Sequence, residues 1–500
     1  MGLLSRKSVF DLQAEAGRGT LRRSLGPVNL TTLGIGSVIG TGIFVLTGTA
    51  ASQNAGPALV VSMVIAALAC ALAGLCYAEL ASMIPVAGSA YTYAYATAGE
   101  IFAWIIGWDL MLEYALSAST VAVGWSGYFV SFLGDLGIRL PARLTAAPEV
   151  MVALPGGGTA HGVFNLPAAC IVLLVSALLA IGIRESANTN TVLVVVKVAV
   201  LLVFVAAGAA YVRREHLTPF IPPNTGDFGA FGWSGVMRGA AVMFFAYVGF
   251  DAVSTAAQEA KNPQRDLPFG ILASLAICTV IYILVATVLI GIVPYSRLNV
   301  PDPLAVGIDA TGLTWLSPVI KISALFGLFS TMLVTLLGQT RIFFTMSRDG
   351  LLPAAFGRVH PRWRTPHVST AITGSVVAVA AGLLPISVLS QLVSIGTLLA
   401  FVLVSAGVVM LRRTRPELER PFRTPGMPWV PALAIVACVA QMASLPAATW
   451  ARLFIWLAMG MVVYFAYGRR RSRVAAQAAA DAEPAVKHVA RSEVRKCGSA

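Results

Sequence analysis

Four ionisable side chains lie inside otherwise apolar runs, and they are the first candidates for chemistry. Asp109 and Glu113 stand one helical turn apart in residues 101–114, Lys197 interrupts a Val/Ala run at 194–200, and Asp251 follows Gly249-Phe250. A charged side chain at the middle of a bilayer costs roughly 2.5–3.5 kcal/mol on insertion scales, so it is a functional candidate by default. At 1.5 Å per residue Glu113 sits about 18 Å from the start of its apolar run and Lys197 about 12 Å from the start of its own, a strained distance for snorkelling. Desolvation favours the neutral form of each, so that the Glu tends to take up a proton and the Lys to give one up. Glu113 reads as a proton carrier, or else as a brace bonded to a neighbouring helix. Lys197 reads as an ammonium that can replace a sodium ion in a transport cycle, or else as a permanently paired structural cation. Asp109 is shallower and the weaker candidate.

The backbone offers a second chemistry. Residues 34–42 hold four glycines, Gly34, Gly36, Gly40 and Gly42, in the middle of the first apolar run. Each Gly weakens a helix interior by roughly 0.5–1 kcal/mol relative to Ala. A broken helix survives at membrane depth only where protein or a water-filled cavity surrounds it. Its half-helix ends then present free N–H groups and free carbonyls, which suit a molecule carrying both a carboxylate and an ammonium. The competing reading is a close-packing face, with Gly36 and Gly40 four apart. A partner decides between them: residues 243–251, Met-Phe-Phe-Ala-Tyr-Val-Gly-Phe-Asp, are a second place where a helix could open. Interrupted spans at positions one and six are what an inverted repeat of five helices predicts.

These sites need a scaffold, and composition names its class. Over 500 residues the chain is 57% hydrophobic and 11% charged, with a mean hydropathy of +0.80. That excludes a water-soluble globule. Apolar runs recur at about 28–50, 57–84, 101–133, 164–184, 189–212, 234–257, 269–293, 316–346, 368–388, 390–411, 429–447 and 449–467, which predicts twelve spans in one integral membrane domain. The net charge of +13 does not point to nucleic acid, because of where it lies. Basic residues crowd residues 6–23, the loops after spans eight and ten, and the segment after span twelve. An even number of spans puts all four on one side, which the positive-inside rule makes cytoplasmic. The opposite side carries only Arg139, Arg143, Arg213, Arg214 and Arg297. Residues 1–23 carry charges and no apolar h-region, so no signal peptide is expected. The tail after about Arg473, rich in Ala, Glu, Lys and Arg, is expected to be disordered. The six cysteines and five histidines have neither disulfide-framework nor metal-ligand spacing, so no metal or cofactor is expected. Glu79, at the end of span two before Pro85 and Gly88, reads as an interfacial charge and a turn more readily than as a gate hinge.

Five motifs, in order, carry a resemblance. They are Gly36-Ser37-x-Ile39-Gly40-Thr41-Gly42-Ile43-Phe44, Gly107-Trp108-x-x-x-Leu112-Glu113-Tyr114, Phe245-Ala246-Tyr247-x-Gly249-Phe250-Asp251, Glu259-x-x-Asn262-Pro263 and Arg348-Asp349-Gly350-Leu351-Leu352-Pro353. Over roughly residues 20–470 the chain resembles the amino acid–polyamine–organocation (APC) superfamily, and within it the bacterial cationic amino acid transporter (CAT) family. The resemblance implies an all-α LeuT-like fold, a five-plus-five inverted repeat of which helices one and six are discontinuous. It implies that Thr41 and Gly42, with Val38, hold a substrate carboxylate, and that carbonyls of Phe245, Ala246 and Val248 take its ammonium. Phe245 doubles as a gate. Lys197 matches the span-five Lys that fills the sodium position of sodium-coupled relatives, and Glu113 matches the family's span-three Glu, facing substrate or bracing the core. Gly36, Ser37, Gly40, Tyr247, Ser330 and Thr331 are supporting positions, the last two facing Lys197.

The expectation is therefore a secondary active transporter of neutral or cationic L-amino acids in the plasma membrane, coupled to protons and working by alternating access. Residues 1–27 form a cytoplasmic segment, 28–412 the transport core, 413–468 two further helices and 469–500 a cytoplasmic tail. Its partners are the amino acid, the proton and the lipid bilayer; a small membrane-protein subunit or an oligomer is left open. Two alternatives stand beside it: an exchanger without net proton coupling, and a non-transporting amino acid sensor, which would need a longer soluble extension. No nucleotide loop, metal cluster or nucleophile elbow supports an enzyme.

Overall fold

The computed structural model describes residues 6–7, 25–86, 89–154, 157–182, 187–363 and 365–474. Arg18, Arg22, Arg23, Gly88, Arg364 and the tail beyond 474 lie outside the described residues. Apolar runs of this length have no other way to satisfy their backbones in lipid than to form helices, and helices dominate. In chain order they are α1 (Pro27–Val38), α2 (Leu59–Met83), α3 (Ser89–Thr97), α4 (Glu100–Asp135), α5 (Leu166–Ile181), α6 (Ala187–Gly208), α7 (Gly232–Met243), α8 (Pro263–Ile292), α9 (Pro303–Asp309), α10 (Leu316–Arg348), α11 (His367–Leu383), α12 (Ile386–Thr414), α13 (Trp429–Ser444) and α14 (Ala447–Val463). A two-stranded antiparallel hairpin, β1 (Met151–Ala153) and β2 (Thr159–His161), pairs Met151 with His161 between α4 and α5.

Helix ends follow local sequence. Pro27, Pro263 and Pro303 begin their helices, where a missing N–H costs nothing. Asn165 caps α5 by accepting from the Ala168 amide at 3.2 Å. Between the first two apolar runs the chain turns at Gly56, at φ +58°, followed by Pro57.

Among the described residues, eight helical stretches are long and apolar enough to cross a membrane: Gly42–Met83, Glu100–Asp135, Thr191–Tyr211, Gly232–Thr255, Pro263–Ile292, Leu316–Arg348, Ile386–Thr414 and Ala447–Arg471. Three apolar helices, Leu166–Ile181, His367–Leu383 and Trp429–Ser444, are shorter. This is a multi-pass membrane protein. Its exposed large side chains are apolar, such as Val192, Val195 and Val196 on α6 and Phe454, Ile455 and Val462 on α14, while Asp109, Glu113, Lys197, Asp251 and Lys321 are buried. A surface facing hydrocarbon inverts the soluble pattern in this way.

The packing brings together helices distant in sequence. α4 lies against α10 and α12, α2 against α8 and α7, α5 against α11, and α1 against α8 and α6. The bundle closes firmly at the end carrying the basic loops. There Asp349, after α10, accepts from Lys7 at 2.7 Å and from Tyr91 of α3 at 2.6 Å. Glu100, at the start of α4, accepts from Tyr95, Tyr464 and Ser472. Glu79 is held by Arg412 and the Thr424 amide, which makes it a staple between α2 and the chain after α12.

Candidate functional site

Both glycine-rich interruptions are breaks. α1 stops at Val38, Ile39 leaves it with ψ 94°, and helical geometry resumes as a π-turn at Gly42–Leu46. α7 stops at Met243, tightens into a 3₁₀ turn at Phe244–Tyr247, and Val248 is extended, with ψ 134°. Gly249 follows at φ +116°, a conformation that strains any L-residue. A Cβ there would lie 2.9 Å from the Ser37 carbonyl oxygen. The breaks touch: a Cβ on Gly42 would come within 2.3 Å of Ala246 Cα. The small residues read as a packing face and those read as a break are thus the same residues.

The carbonyls freed by the first break have protein partners. Lys197 Nζ donates to Gly36 O at 3.1 Å, to Ile39 O at 3.3 Å and to Thr331 Oγ1 at 3.0 Å. Tyr282 donates to Val38 O, and Tyr128 to Phe44 O, both at 2.8 Å. Lys197 is only 1% exposed, and Gly327 of α10 admits its stem, since a Cβ there would lie 3.0 Å from Lys197 Cε. Of Ser330 and Thr331, it is Thr331 whose hydroxyl meets the ammonium. The three elements converging here are the end of α1, α6 and α10.

Donors at the same break remain open. The Gly40 amide reaches no backbone carbonyl among the described residues, and the hydroxyls of Ser37 and Thr41 are buried without a partner. At the second break Phe245 O already accepts from the Val248 amide at 3.2 Å. Phe245 and Ala246 are buried and Val248 partly so. Tyr247 is engaged elsewhere, donating to Met63 O of α2 at 3.2 Å.

Glu113 stands apart from the Thr41–Gly42 end. The α4 residue against Thr41 is Gly124, whose Cβ would meet Thr41 Cγ2 at 2.8 Å. Eleven residues separate Gly124 from Glu113, about 16 Å along the helix. Glu113 lies instead within electrostatic reach of Asp251 and Asp109. Its Oε2 and both carboxylate oxygens of Asp109 are buried without a hydrogen-bond partner, and Gly396 of α12 leaves room for Asp109. The structure therefore gathers three carboxylates toward the basic end of the bundle.

Tyr128 and Tyr282 were not among the sequence candidates. Their signal is general: a Tyr inside an apolar run must find an acceptor for its hydroxyl. Which carbonyl it finds is set by the tertiary fold alone.

A family model described as amino acid permease matches residues 25–465. The chain is 48% identical over 471 residues to the branched-chain amino acid permease BcaP of Bacillus subtilis (strain 168), covering 94% of this chain and 98% of that protein. It is 47% identical over 470 residues to the methylthioribose transporter of the same bacterium, covering 94% and 98%. It is 39% identical over 417 residues to the vacuolar cationic amino acid transporter 4 of Arabidopsis thaliana, covering 83% of this chain and 68% of that protein.

Proposed function

The chain belongs to the amino acid permease family, and from that premise we propose that it imports neutral, branched L-amino acids together with protons by alternating access. It is an amino acid transporter and not an enzyme. The Gly40 amide, Thr41 and Gly42 take the substrate carboxylate, and carbonyls at Ala246 and Val248 take the ammonium. The branched-chain relative supports a neutral substrate. So does the distance of about 16 Å along α4 that separates Glu113 from the level of Thr41.

The packing supports a twelve-span, five-plus-five architecture. With the first span counted as α1 and residues 42–55, contacts run between spans two and seven (α2, α8), three and eight (α4, α10), and four and nine (α5, α11). The two breaks add one and six. The crowding of basic residues on one side supports cytoplasmic termini, in a protein of the plasma membrane.

One observation carries the coupling: Lys197 holds the carbonyls that the first break releases. In its charged form it ties the inner half of span one to α6 and α10; losing the proton loosens that tie. Lys197→Ala in proteoliposomes should abolish proton-driven accumulation of leucine while leaving counterflow. Unchanged uphill uptake would remove Lys197 from the coupling. The methylthioribose relative favours a second reading, a sugar thioether that carries neither carboxylate nor ammonium. A ligand raises apparent stability by RT ln(1 + [L]/Kd). A thermal shift with methylthioribose, and none with any of the twenty amino acids, would install that reading.

A further inference from the structure

Beyond the breaks, on the side away from the basic loops, a cavity of about 230 Å³ opens between residues 46–54, the loop before α7 and the start of α12. Leu46 and Val242 line its inner end, one turn beyond Gly42 and Ala246 respectively. The cavity therefore stands in line with the breaks and is separated from them by two apolar side chains. Its polar lining includes Gln53, Asp227, Arg238, Ser390 and Gln391. It is smaller than the roughly 300–1,000 Å³ of pockets for drug-sized ligands, and of the right order for a single amino acid.

Arg238 is the fixed charge in this space. Its Nε donates to Ser444 O at 3.0 Å, and its guanidinium carbon lies 5.3 Å from the centre of the Phe228 ring. Gly229, at φ +89°, packs so closely that a Cβ would come within 2.3 Å of Nε. Three neighbours thus hold the guanidinium in place. Among the described residues no carboxylate lies within ion-pair distance of it, and Nε is its one hydrogen-bonding nitrogen. The two terminal nitrogens form the planar fork that matches a carboxylate in bidentate fashion.

We propose that this cavity is an antechamber, in which Arg238 captures the carboxylate of an incoming amino acid before it passes Leu46 and Val242 to the breaks. The inference rests on the amino acid reading above. Asp227 and the side-chain oxygens of Ser390 and Gln391 offer acceptors for the ammonium. The guanidinium fork holds the carboxylate of the net-neutral zwitterion by charge-assisted bonds, and dissolved anions compete for the same fork, so the gain falls as salt rises.

The test is leucine uptake into proteoliposomes as a function of leucine and salt concentration. Arg238→Gln should raise KM about tenfold, the order lost with one charge-assisted hydrogen bond. Vmax should be unchanged, and the salt dependence of uptake at low leucine should flatten. Arg238→Lys should keep the salt dependence. Gly229→Ala, which pushes the guanidinium aside, should move KM in the same direction and carries the measurement if Arg238→Gln does not assemble. Wild-type KM and salt dependence in Arg238→Gln and Gly229→Ala would overturn the antechamber, as would a loss of Vmax at unchanged KM. Absence of leucine uptake by the unmodified protein would instead overturn the amino acid reading, so the two failures are separable.

Discussion

The contact between Gly42 and Ala246 is the sharpest handle on the site. An added methyl at Gly42 would stand 2.3 Å from Ala246 Cα, where ordinary contact begins at 3.4 Å. The obstacle is backbone, so the two breaks must part by about 1 Å, the shortfall between those distances. Overpacking of this kind destabilises by roughly 1–3 kcal/mol. A displacement of about 1 Å among fixed polar groups can reduce function about a hundredfold. Gly42→Ala should therefore lower the melting temperature of the purified protein and raise the KM for leucine uptake ten- to a hundredfold. Gly134→Ala, on α4, is the control: its Cβ would meet nothing within 4 Å, and it should leave both measurements within error. Adding Ala246→Gly to Gly42→Ala should not restore transport, because the closest approach is to Cα and not to the Ala246 methyl. A Gly42→Ala protein that melts and transports like Gly134→Ala would refute the claim that the breaks are in register-determining contact.

Two further outcomes separate scaffold from site. Glu79→Gln removes the charge that accepts from Arg412 at 2.9 and 2.5 Å and from the Thr424 amide at 2.8 Å. The loss should be about 1–3 kcal/mol, seen as a lower melting temperature with unchanged leucine KM; a changed KM at constant stability would make Glu79 a gate after all. Asp302, in the loop before α9, accepts from Ser131 of α4 at 2.5 Å, and burial pushes its carboxyl up from the usual range despite Ser131 and Lys321. A raised folded value means the native state binds the proton more tightly, so stability rises as pH falls from neutral into the window just above the ordinary carboxylate range. Asp302→Asn has no such proton. The melting-temperature difference, native minus variant, should grow more positive on acidification, and a flat difference would show that Asp302 is not desolvated.

Much of this was legible from residue types alone. Gly40 and Gly42 mark the first break because glycine is a poor helix former and because only its absent side chain lets Ala246 approach. Gly249 marks the second because the chain there turns through a positive φ. Lys197 was readable as a committed charge because nothing within its own run could satisfy it. Apart from Lys197 with Thr331, which was expected, what stayed hidden were the pairings that depend on rotation of one helix against another. The sequence left Glu113 either facing substrate or bracing the core, and only the Gly124 contact reveals that it lies about 16 Å along α4 from the level of Thr41. Asp349 lay in a recognised motif, but its partners Lys7 and Tyr91 are hundreds of residues away. Arg238, near the start of its apolar run, drew no reading from the sequence. Its importance depends on Phe228, Gly229 and Ser444 arriving around it.

A count of donors and acceptors at the first break fixes which end of a substrate it can receive. The carbonyls of Gly36, Val38 and Ile39 are taken by Lys197, Thr331 and Tyr282, so an ammonium arriving there would have to compete with a buried cation. The Gly40 amide and the hydroxyls of Ser37 and Thr41 have no such partners. A buried donor left unpaired costs about 1–3 kcal/mol; the Gly40 amide needs an acceptor, which a carboxylate offers and an ammonium does not, while the two hydroxyls serve either end. On the proposed reading the substrate lies with its carboxylate on span one and its ammonium on span six. The same count ties substrate to proton. Charge-assisted bonds are roughly twice as strong as neutral ones, so deprotonating Lys197 weakens its hold on Gly36 and Ile39 without freeing any acceptor for the substrate. On the proposed reading, substrate and proton act on the same turn of backbone. Each shifts the balance between conformations only through its different affinity for them, and neither needs to touch the other.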